Sequence, residues 1–325
     1  MSPDIIISEN ISGSALENLK SAYSVKCDPG LWKSPDNLKA AVENCRALIV
    51  RNQTRVSAEL ISAATRLEIV GRAGAGLDNV DVAAATAAGI VVASTPDQNS
   101  ISVAELALGM MLSLARKLPE ADRHVRGGGW DRHRFLGREL YGKSLGIVGL
   151  GRIGVLTALR ARALGMNILA HDAYISPDAV AVTETHAKLV EFDDLLQHSD
   201  FVSCHLPLTP QTTRIFNYQR FAMMQPTAFF LNLARGEVVD EHDLIRALQE
   251  KRIAGAALDV RQTEPPGSDA LSTMDNVILT PHIAAFTCEA QDRVVTAVCQ
   301  DVQHVLSGRQ AKNYVNFSRP RRREK

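Results

Sequence analysis

The segment Ser144–Asp172, SLGIVGLGRIGVLTALRARALGMNILAHD, carries the strongest fold signal in this chain. It predicts a buried strand, a Gly149-x-Gly151-x-x-Gly154 turn, an amphipathic helix, a second strand and an acid where that strand ends. The glycines allow a tight turn and a close approach of the main chain to a pyrophosphate, and the helix N-terminus that follows offers N–H donors. These parts, in this order, predict a dinucleotide-binding unit.

Asp172 indicates which dinucleotide binds. It follows the glycines by about twenty residues, where a carboxylate accepts hydrogen bonds from the ribose hydroxyls. Its charge would repel a 2′-phosphate, so NAD is favoured over NADP.

Composition and charge argue against several other classes of protein. The 36 basic residues equal the 36 acidic ones, so no net field favours nucleic acid or an anionic membrane. The apolar run Leu106–Ala115 is too short to span a bilayer, and the N-terminus MSPDIIISEN lacks the layout of a signal peptide. The five cysteines are scattered without a CxxC pair, which predicts a cytoplasmic location and no structural metal.

The alternation of apolar runs with helical patterns predicts a parallel α/β architecture. In the first hundred residues DIIIS, ALIVRN, LEIVGRA and IVVAST indicate strands, and LENLKSAY, DNLKAAVENC and AELISAAT indicate helices. From Ser144 onward SLGIVGL, NILAHD, FVSCHL, AFFLNLA, AGAALDV and VILT indicate six strands. We therefore predict two Rossmann-like or flavodoxin-like domains with doubly wound parallel sheets and a cleft between them.

The domain boundaries follow from the position of the glycine turn and of the last helix. The turn falls in the middle of the chain, so residues 101–285 are predicted to form the NAD-binding domain. The helix Cys288–Leu306 is expected to return to the first domain, which makes residues 1–100 and 286–325 a discontinuous substrate-binding domain. The tail SRPRRREK that follows is predicted to be solvated and disordered.

The segment Ile101–Leu118 is predicted to be one helix, apolar on nearly every side. Such a helix is buried on several sides. The pattern alone leaves open whether it is an ordinary core helix, lies between domains or packs against a second subunit.

Four residues with useful chemistry follow successive predicted strands. Arg235 follows AFFLNLA, Asp259 and Glu264 fall at the end of AGAALDV and just beyond it, and His282 follows VILT. Ligands of open α/β sheets bind outside the carboxyl ends of the strands, so these side chains are expected at the edge that carries the glycine turn.

The types of these residues suit hydride transfer from an alcohol that carries a carboxylate. An imidazole such as His282 can take the hydroxyl proton near neutral pH. A carboxylate on its other ring nitrogen fixes the tautomer and stabilises the imidazolium. A guanidinium such as Arg235 binds a carboxylate in bidentate fashion.

The motifs GIVGLGRIG, NLARGEVVDE, GAALDV, TEPP and TPH resemble the signatures of the D-isomer-specific 2-hydroxyacid dehydrogenases, over the chain up to about Arg309. The resemblance implies that Arg235 binds the substrate carboxylate and carbonyl, that His282 is the acid/base and that Glu264 is its partner. It also implies a small 2-hydroxy or 2-keto acid as substrate, and a homodimer through the 101–118 helix.

The resemblance further implies a set of cofactor contacts. Main-chain N–H groups of Arg152 and Ile153 would face the pyrophosphate, Asp259 the nicotinamide carboxamide, and Pro207 and Thr212 the cofactor cleft. The complete set implied is Gly149, Gly151, Arg152, Ile153, Gly154, Asp172, Pro207, Thr212, Ala234 and Asp259.

The N-terminal domain is most similar to the 3-phosphoglycerate dehydrogenase branch of that family. The loop VGRAGAGLDNV resembles the branch's substrate loop, with N–H groups of Ala73, Gly74 and Ala75 as an anion nest for the carboxylate. Arg51 lies where that branch places a basic residue against the distal phosphate.

Two departures from that branch keep the substrate open. Ala284 and Phe286 stand where a glycine and a small hydroxyl residue are usual, and the chain ends soon after its last helix, so we expect no serine-sensing regulatory domain. Phosphoglycerate-type and sulfolactate-type substrates are both open. The alternatives are a hydroxypyruvate or glyoxylate reductase, a formate or phosphite dehydrogenase, and an NADH-sensing corepressor-like scaffold.

Overall fold

The computed structural model describes residues 2–321, which form two units. Among the described residues, unit 1 comprises residues 2–99 and 286–321, and unit 2 comprises Ser100–Ala285. No helix among the described residues is long and apolar enough to cross a membrane. The predicted cleft and the substrate-binding role of unit 1 stay predictions.

Unit 1 is built on a parallel sheet of five short strands, in the order β2-β1-β3-β4-β5. The helices α1 and α12 share a core with one face of this sheet. Numbered along the whole chain, the strands are β1 (Ile5–Ile7), β2 (Val25–Cys27), β3 (Ala47–Val50), β4 (Ile69–Arg72) and β5 (Val91–Ser94), and the helices are α1 (Ser14–Ala22), α2 (Pro35–Val42), α3 (Ala58–Ala63), α4 (Val82–Ala87) and α12 (Cys288–Leu306).

The return of the last helix to unit 1 depends on a glycine in the sheet. The apolar face of α12 includes Val294, Val298 and Val302, and it packs in one core with β1, β3 and β4. A Cβ on Gly71 of β4 would lie 2.6 Å from a methyl of Val298, so only glycine lets the helix approach this closely. The helix α12 therefore packs with the sheet of unit 1.

Unit 2 is built on a parallel sheet of seven strands in the order β12-β11-β10-β9-β6-β7-β8. The chain order reverses between β6 and β9, which makes the carboxyl ends of these strands the switch point where ligands of such sheets bind. The strands are β6 (Ser144–Val148), β7 (Asn167–His171), β8 (Lys188–Leu189), β9 (Phe201–Cys204), β10 (Phe229–Asn232), β11 (Gly255–Leu258) and β12 (Val277–Leu279). The helices are α5 (Ser100–Arg116), α6 (Leu118–Arg126), α7 (Arg152–Ala163), α8 (Val180–Thr185), α9 (Phe192–His198), α10 (Tyr218–Met223) and α11 (Glu241–Gln249).

The predicted α/β class with two parallel, doubly wound sheets is confirmed, but the sequence patterns did not predict β2, β8 and α4, among other elements. The strands β2 and β8 lie at sheet edges and carry exposed lysines, so neither forms an apolar run. The helix α4, VAAATA, consists mainly of small residues and shows no helical apolar period.

The prediction of one helix over Ile101–Leu118 is wrong at its C-terminal end. The helix α5 ends at Arg116, Lys117 adopts a left-handed φ of 53°, and α6 begins at Leu118. Pro119 has no N–H to donate to the preceding turn, so the chain starts a new helix there.

The prediction of a disordered tail is wrong for its first residues. The Ser318 carbonyl accepts a hydrogen bond from Ala311 N at 2.8 Å, and Arg321 N donates to the Gly89 carbonyl at 2.8 Å. The Arg321 guanidinium lies 4.7 Å from the Phe317 ring centre. Residues 322–325 of the predicted tail lie outside the described residues.

The cysteines fall into two groups by exposure. Burial raises the pKa of each of the thiols of Cys45, Cys204 and Cys299 to about 12, whereas Cys27 and Cys288 are exposed. Across residues 2–321, no three His, Cys, Asp or Glu side chains are grouped so that they could hold a metal ion.

Candidate active site

Three glycines shape the turn after β6, and each does so in a different way. Gly149 has a φ of 96°, and a Cβ there would lie 3.0 Å from the carbonyl oxygen of His205. A Cβ on Gly154, in α7, would overlap the carbonyl oxygen of Gly149. At Gly151 a Cβ would meet nothing within 4 Å, so this glycine faces open space at the N-terminus of α7. The turn is therefore packed on the protein side and open where a pyrophosphate would approach.

Asp172 ties the end of β7 to this turn. Its Oδ2 accepts a hydrogen bond from Leu150 N at 2.9 Å, and its Oδ1 accepts one from Tyr174 N at 2.9 Å. Each oxygen of a carboxylate can accept a second bond, so ribose hydroxyls can still be bound. Asp172 both fixes the turn and places a negative charge beside it.

The loop after β9, which contains the predicted cofactor residues Pro207 and Thr212, is fixed by internal hydrogen bonds. The Thr212 hydroxyl donates to the Pro207 carbonyl at 2.6 Å and accepts from Thr209 N at 2.8 Å. Both predicted residues therefore belong to one braced turn at the carboxyl end of β9, the strand that pairs with β6.

A buried asparagine shapes the turn that carries Arg235. The side chain of Asn232 accepts a hydrogen bond from Ala234 N at 3.0 Å and donates to the Arg235 carbonyl at 2.8 Å. The Arg235 side chain donates from Nη1 to the Ala234 carbonyl at 2.7 Å. The predicted residues Ala234 and Arg235 thus lie in a turn that is fixed from inside the protein.

The next residue brings this turn against the loop after β11. A Cβ on Gly236 would overlap the main-chain carbonyl of Arg261, so only glycine permits the contact. Gly236 is part of the motif NLARGEVVDE, but the motif does not indicate this contact, which joins residues that are 25 positions apart.

His282 and Glu264 form the predicted pair. Nδ1 of His282 lies 2.8 Å from Oε2 of Glu264, and the two side chains are 39% and 35% exposed. Oε1 of Glu264 accepts a hydrogen bond from Arg261 N at 3.1 Å. Burial raises the pKa of Glu264, but the bonds from His282 and Arg261 N, with the charges of His282 and Arg235, outweigh it and hold the pKa below its usual value. Glu264 is therefore an anion at neutral pH, positioned to stabilise an imidazolium.

The backbone of His282 is held in an uncommon conformation. Its φ is 56°, and its N–H donates to the Asp259 carbonyl at 2.8 Å. A left-handed conformation in a residue other than glycine costs energy and persists only where the surroundings impose it. The backbone of His282 adopts this conformation while its ring is bonded to Glu264.

Asp259 holds the backbone of His282 in this left-handed conformation. The side chain is buried, and Oδ1 accepts from the Thr280 hydroxyl at 2.5 Å and from Ile283 N at 2.8 Å, while Oδ2 accepts from Ala284 N at 2.8 Å. The carboxylate therefore fixes both sides of His282. Its predicted contact with the nicotinamide carboxamide stays a prediction, and Oδ2 has the remaining acceptor capacity for it.

In unit 1, Arg51 lies directly beyond β3 and is held by neighbours of its own unit. Its N–H donates to Oε1 of Glu9 at 2.7 Å, its Nη2 donates to Oε1 of Gln291, and its guanidinium lies 5.3 Å from the Phe286 ring centre. Burial lowers the pKa of Arg51 from its usual value, and the charge of Glu9 opposes that shift. The contact between Arg51 and Phe286 joins two residues that are far apart in the sequence.

The loop after β4 differs from the predicted anion nest. Ala73 N donates to the Val50 carbonyl at 2.8 Å, and Gly74 N donates to the Arg72 carbonyl at 2.9 Å. Two of the three predicted donors are thus used inside unit 1, and a nest of Ala73, Gly74 and Ala75 would require these bonds to break. The side chain of Arg72 occupies the place that a Cβ on Gly74, with its φ of 143°, would take. The role of the loop in substrate binding stays a prediction.

The doubly wound sheet and glycine turn of unit 2 define a dinucleotide-binding α/β protein, and comparisons narrow the class. Residues 108–284 match the family model "D-isomer specific 2-hydroxyacid dehydrogenase, NAD binding domain". D-3-phosphoglycerate dehydrogenase of Methanocaldococcus jannaschii is 43% identical over 313 residues, 96% of this chain and 59% of that protein.

Solved structures of other proteins resemble this chain over nearly its whole length. The TT0316 protein of Thermus thermophilus is 33% identical with a TM-score of 0.90, over 96% of this chain and 99% of its own. D-lactate dehydrogenase of Aquifex aeolicus, in complex with NAD and lactic acid, is 29% identical with a TM-score of 0.85, over 96% of this chain and 98% of its own.

The chain belongs to the family of D-isomer specific 2-hydroxyacid dehydrogenases. Its segment 108–284 is the family's NAD-binding domain, so the predicted cofactor, NAD, is confirmed. The chain spans 59% of the length of the first curated relatives it matches.

Replacing Gly151 with alanine should weaken NADH binding without destabilising the protein. The free structure has room for the methyl group, and the φ of −73° suits alanine, but the methyl group would occupy the space where the pyrophosphate approaches. We expect an unchanged Tm and a rise of about 10-fold or more in the Kd for NADH, measured by fluorescence titration. Gly267→Ala, where a Cβ also meets nothing within 4 Å, is the control, and equal NADH affinity in the two variants would contradict the expectation.

Proposed function

We propose that the protein is an NAD-dependent oxidoreductase that interconverts a small D-type 2-hydroxy acid and its 2-keto acid. The single observation that carries this proposal is the 2.8 Å pair of His282 and Glu264 at the carboxyl edge of the sheet that also carries the glycine turn. An acid/base held by a carboxylate, beside a dinucleotide turn, is the arrangement that hydride transfer from an alcohol requires.

In the oxidative direction, His282 removes the hydroxyl proton through Nε2. Nδ1 is bonded to Glu264, which fixes the ring and stabilises the imidazolium that forms. Bound NAD supplies the hydride acceptor. In the reductive direction, the imidazolium returns the proton to the carbonyl oxygen.

Arg235 is proposed to bind the substrate carboxylate and to polarise the reacting carbonyl. Its guanidinium is close enough to Glu264 for its charge to lower the pKa of that carboxyl group. The same charge can act on a carboxylate and a developing oxyanion placed beside His282. In this proposal, Arg235 binds the substrate and stabilises developing charge, and His282 transfers the proton.

The proposed substrate carries a second anionic group, as in 3-phosphoglycerate or sulfolactate, which Arg51 would bind. The relative named D-3-phosphoglycerate dehydrogenase supports this proposal. Ala73, Gly74 and Ala75 are proposed as further contacts on the resemblance alone.

A specific observation favours a second candidate, a hydroxypyruvate or glyoxylate reductase. The Arg51 guanidinium already donates to Gln291 and lies against the Phe286 ring, so part of its binding capacity is used within unit 1. A substrate without a distal anion would leave these contacts undisturbed.

One screen tests the function and separates the candidates. NADH absorbance is followed with phosphohydroxypyruvate, sulfopyruvate, hydroxypyruvate, glyoxylate and pyruvate, for the natural protein, Arg51→Ala and the control Arg55→Ala, whose arginine is exposed. We expect Arg51→Ala to lower kcat/KM for the two anionic keto acids by about 10-fold or more and to spare the others. An equal loss with all five would remove Arg51 from specificity, and no turnover with any of them would favour an NADH-sensing scaffold.

We also propose that the protein is a cytoplasmic homodimer formed through the 101–118 region. Ile101 and Leu112 of α5 are 43% and 41% exposed, which leaves apolar surface for a second copy. Light scattering should give twice the chain mass of 35.3 kDa, and a monomer mass would contradict the proposal.

A further inference from the structure

Arg261 is a buried cation held between two carboxylates of unit 2. Its side chain is 6% exposed, and its Nε and Nη2 donate to Oε1 and Oε2 of Glu241 at 3.0 and 2.9 Å. The same Nη2 also donates to Asp269. Glu241 is the first residue of α11, and Asp269 caps the short helical turn Ala270–Thr273. The guanidinium therefore joins the loop after β11 to two regular elements.

The main chain of Arg261 touches both parts of the proposed catalytic apparatus. Its N–H donates to Glu264, and its carbonyl packs on Gly236, the residue after Arg235. The next residue, Gln262, donates its N–H to Oε1 of Glu241 at 2.6 Å. One carboxylate thus binds the side chain of Arg261 and the main chain that follows it.

Stability alone gives a poor explanation for a charge at this position. A buried ion pair adds little net stability compared with a well-packed apolar side chain, because both charges must be desolvated. A bidentate guanidinium–carboxylate pair, however, fixes direction and distance, which packing by an apolar side chain does not. What the pair at Arg261 fixes is the segment that carries Glu264.

We propose that Arg261 is a positioning residue, which, given the proposed function, holds Glu264 at Nδ1 of His282 and supports the Arg235–Gly236 turn. Without the anchor at Glu241, the N–H of residue 261 moves, Glu264 loses its bond on Oε1, and the ring of His282 is no longer fixed in one tautomer. NADH binding, which depends on the turn at Gly149–Gly154, is unaffected.

The test compares Arg261→Met and Arg261→Lys with Arg46→Met as the matched control. Arg46 is a partly buried arginine of unit 1 that donates to Glu68 at 2.6 Å and to the Leu306 carbonyl at 3.0 Å, and neither partner is proposed for catalysis. Four quantities are measured for each variant: Tm, the Kd for NADH, kcat and KM with the best keto acid, and the ¹⁵N spectrum of the His282 ring, assigned by its loss in His282→Asn.

Arg261→Met should lower kcat by about 10- to 100-fold with the Kd for NADH within 2-fold, and should shift the His282 ring from one tautomer to a mixture. Arg261→Lys, which keeps the charge, should recover part of both effects. Arg46→Met should have a lower Tm but an unchanged kcat and an unchanged ring spectrum.

The proposal is overturned if Arg261→Met keeps the natural kcat and ring spectrum, or if Arg46→Met lowers kcat as much. If Arg261→Met does not fold, the same four quantities are measured for Arg261→Lys and Asp269→Asn, and they decide whether Arg261 positions Glu264. If the natural protein reduces no keto acid, the proposed function fails, while the ring spectra of the variants still decide whether Arg261 positions His282.

Discussion

Replacing His282 with asparagine should lower turnover by about 10²- to 10⁴-fold and leave the Kd for NADH within a factor of two. Asparagine tolerates the left-handed backbone that His282 adopts at a φ of 56°, so the variant is expected to fold. It cannot accept and return a proton, so the proposed acid/base step is lost. Steady-state kinetics with the best keto acid and a fluorescence titration with NADH measure the two effects.

The control for this variant is His186→Asn. His186 is an exposed histidine at the end of α8 with a similar φ of 49°, so the same exchange occurs in the same backbone conformation. We expect its turnover to be unchanged. Turnover of His282→Asn within 3-fold of the natural protein would remove His282 from the mechanism.

Replacing Arg235 with lysine should lower kcat/KM by about 10²-fold, although the positive charge is kept. A lysine presents a point charge and cannot bind a carboxylate through two parallel bonds, and each bond to a charged group is worth about 1.5–3 kcal/mol. The turn itself should survive, because Asn232 fixes it through main-chain atoms of Ala234 and Arg235. We expect both a higher KM for the keto acid and a lower kcat, because the guanidinium is proposed to bind the carboxylate and to polarise the carbonyl.

Arg138→Lys is the matched control for this second change. Arg138 also lies in unit 2 and donates from Nη1 to a main-chain carbonyl, that of Thr227, at 2.7 Å, but it is not part of the proposed site. Its kinetics should match those of the natural protein. If Arg235→Lys is equally unaffected, Arg235 does not bind the substrate carboxylate.

The parts of the candidate site whose arrangement the sequence indicates are those whose constraints are local. Gly149, Gly151 and Gly154 lie within one turn, and the rule that ligands gather at carboxyl ends of strands placed Arg235, Glu264 and His282 on one edge. The missed features depend on partners distant in the sequence. Gly236 packs on Arg261, Arg261 binds Glu241, and Arg51 donates to Gln291 across 240 positions.

The hydrogen bonds of the loop after β4 also depend on a partner that is distant in the sequence. The loop pattern at Ala73–Ala75 resembles a donor nest, but register decides which N–H groups are used. Because β3 and β4 pair with Val50 opposite Arg72, Ala73 N meets the Val50 carbonyl. A single sequence does not show how two strands pair. The end of the helix before Pro119, by contrast, could have been predicted from the proline, which has no N–H to donate.

The most direct test of the central claim is the transfer of deuterium from NADH that carries deuterium at both positions of nicotinamide C4. The natural protein and His282→Asn are incubated with the labelled NADH and each of the five keto acids, and the products are analysed by mass spectrometry and chiral chromatography. The natural protein should give a D-2-hydroxy acid with one deuterium on C2, or monodeuterated glycolate from glyoxylate, at a rate that His282→Asn lowers by orders of magnitude. Absence of a deuterated product with every keto acid, or a product of the L configuration, would contradict the account.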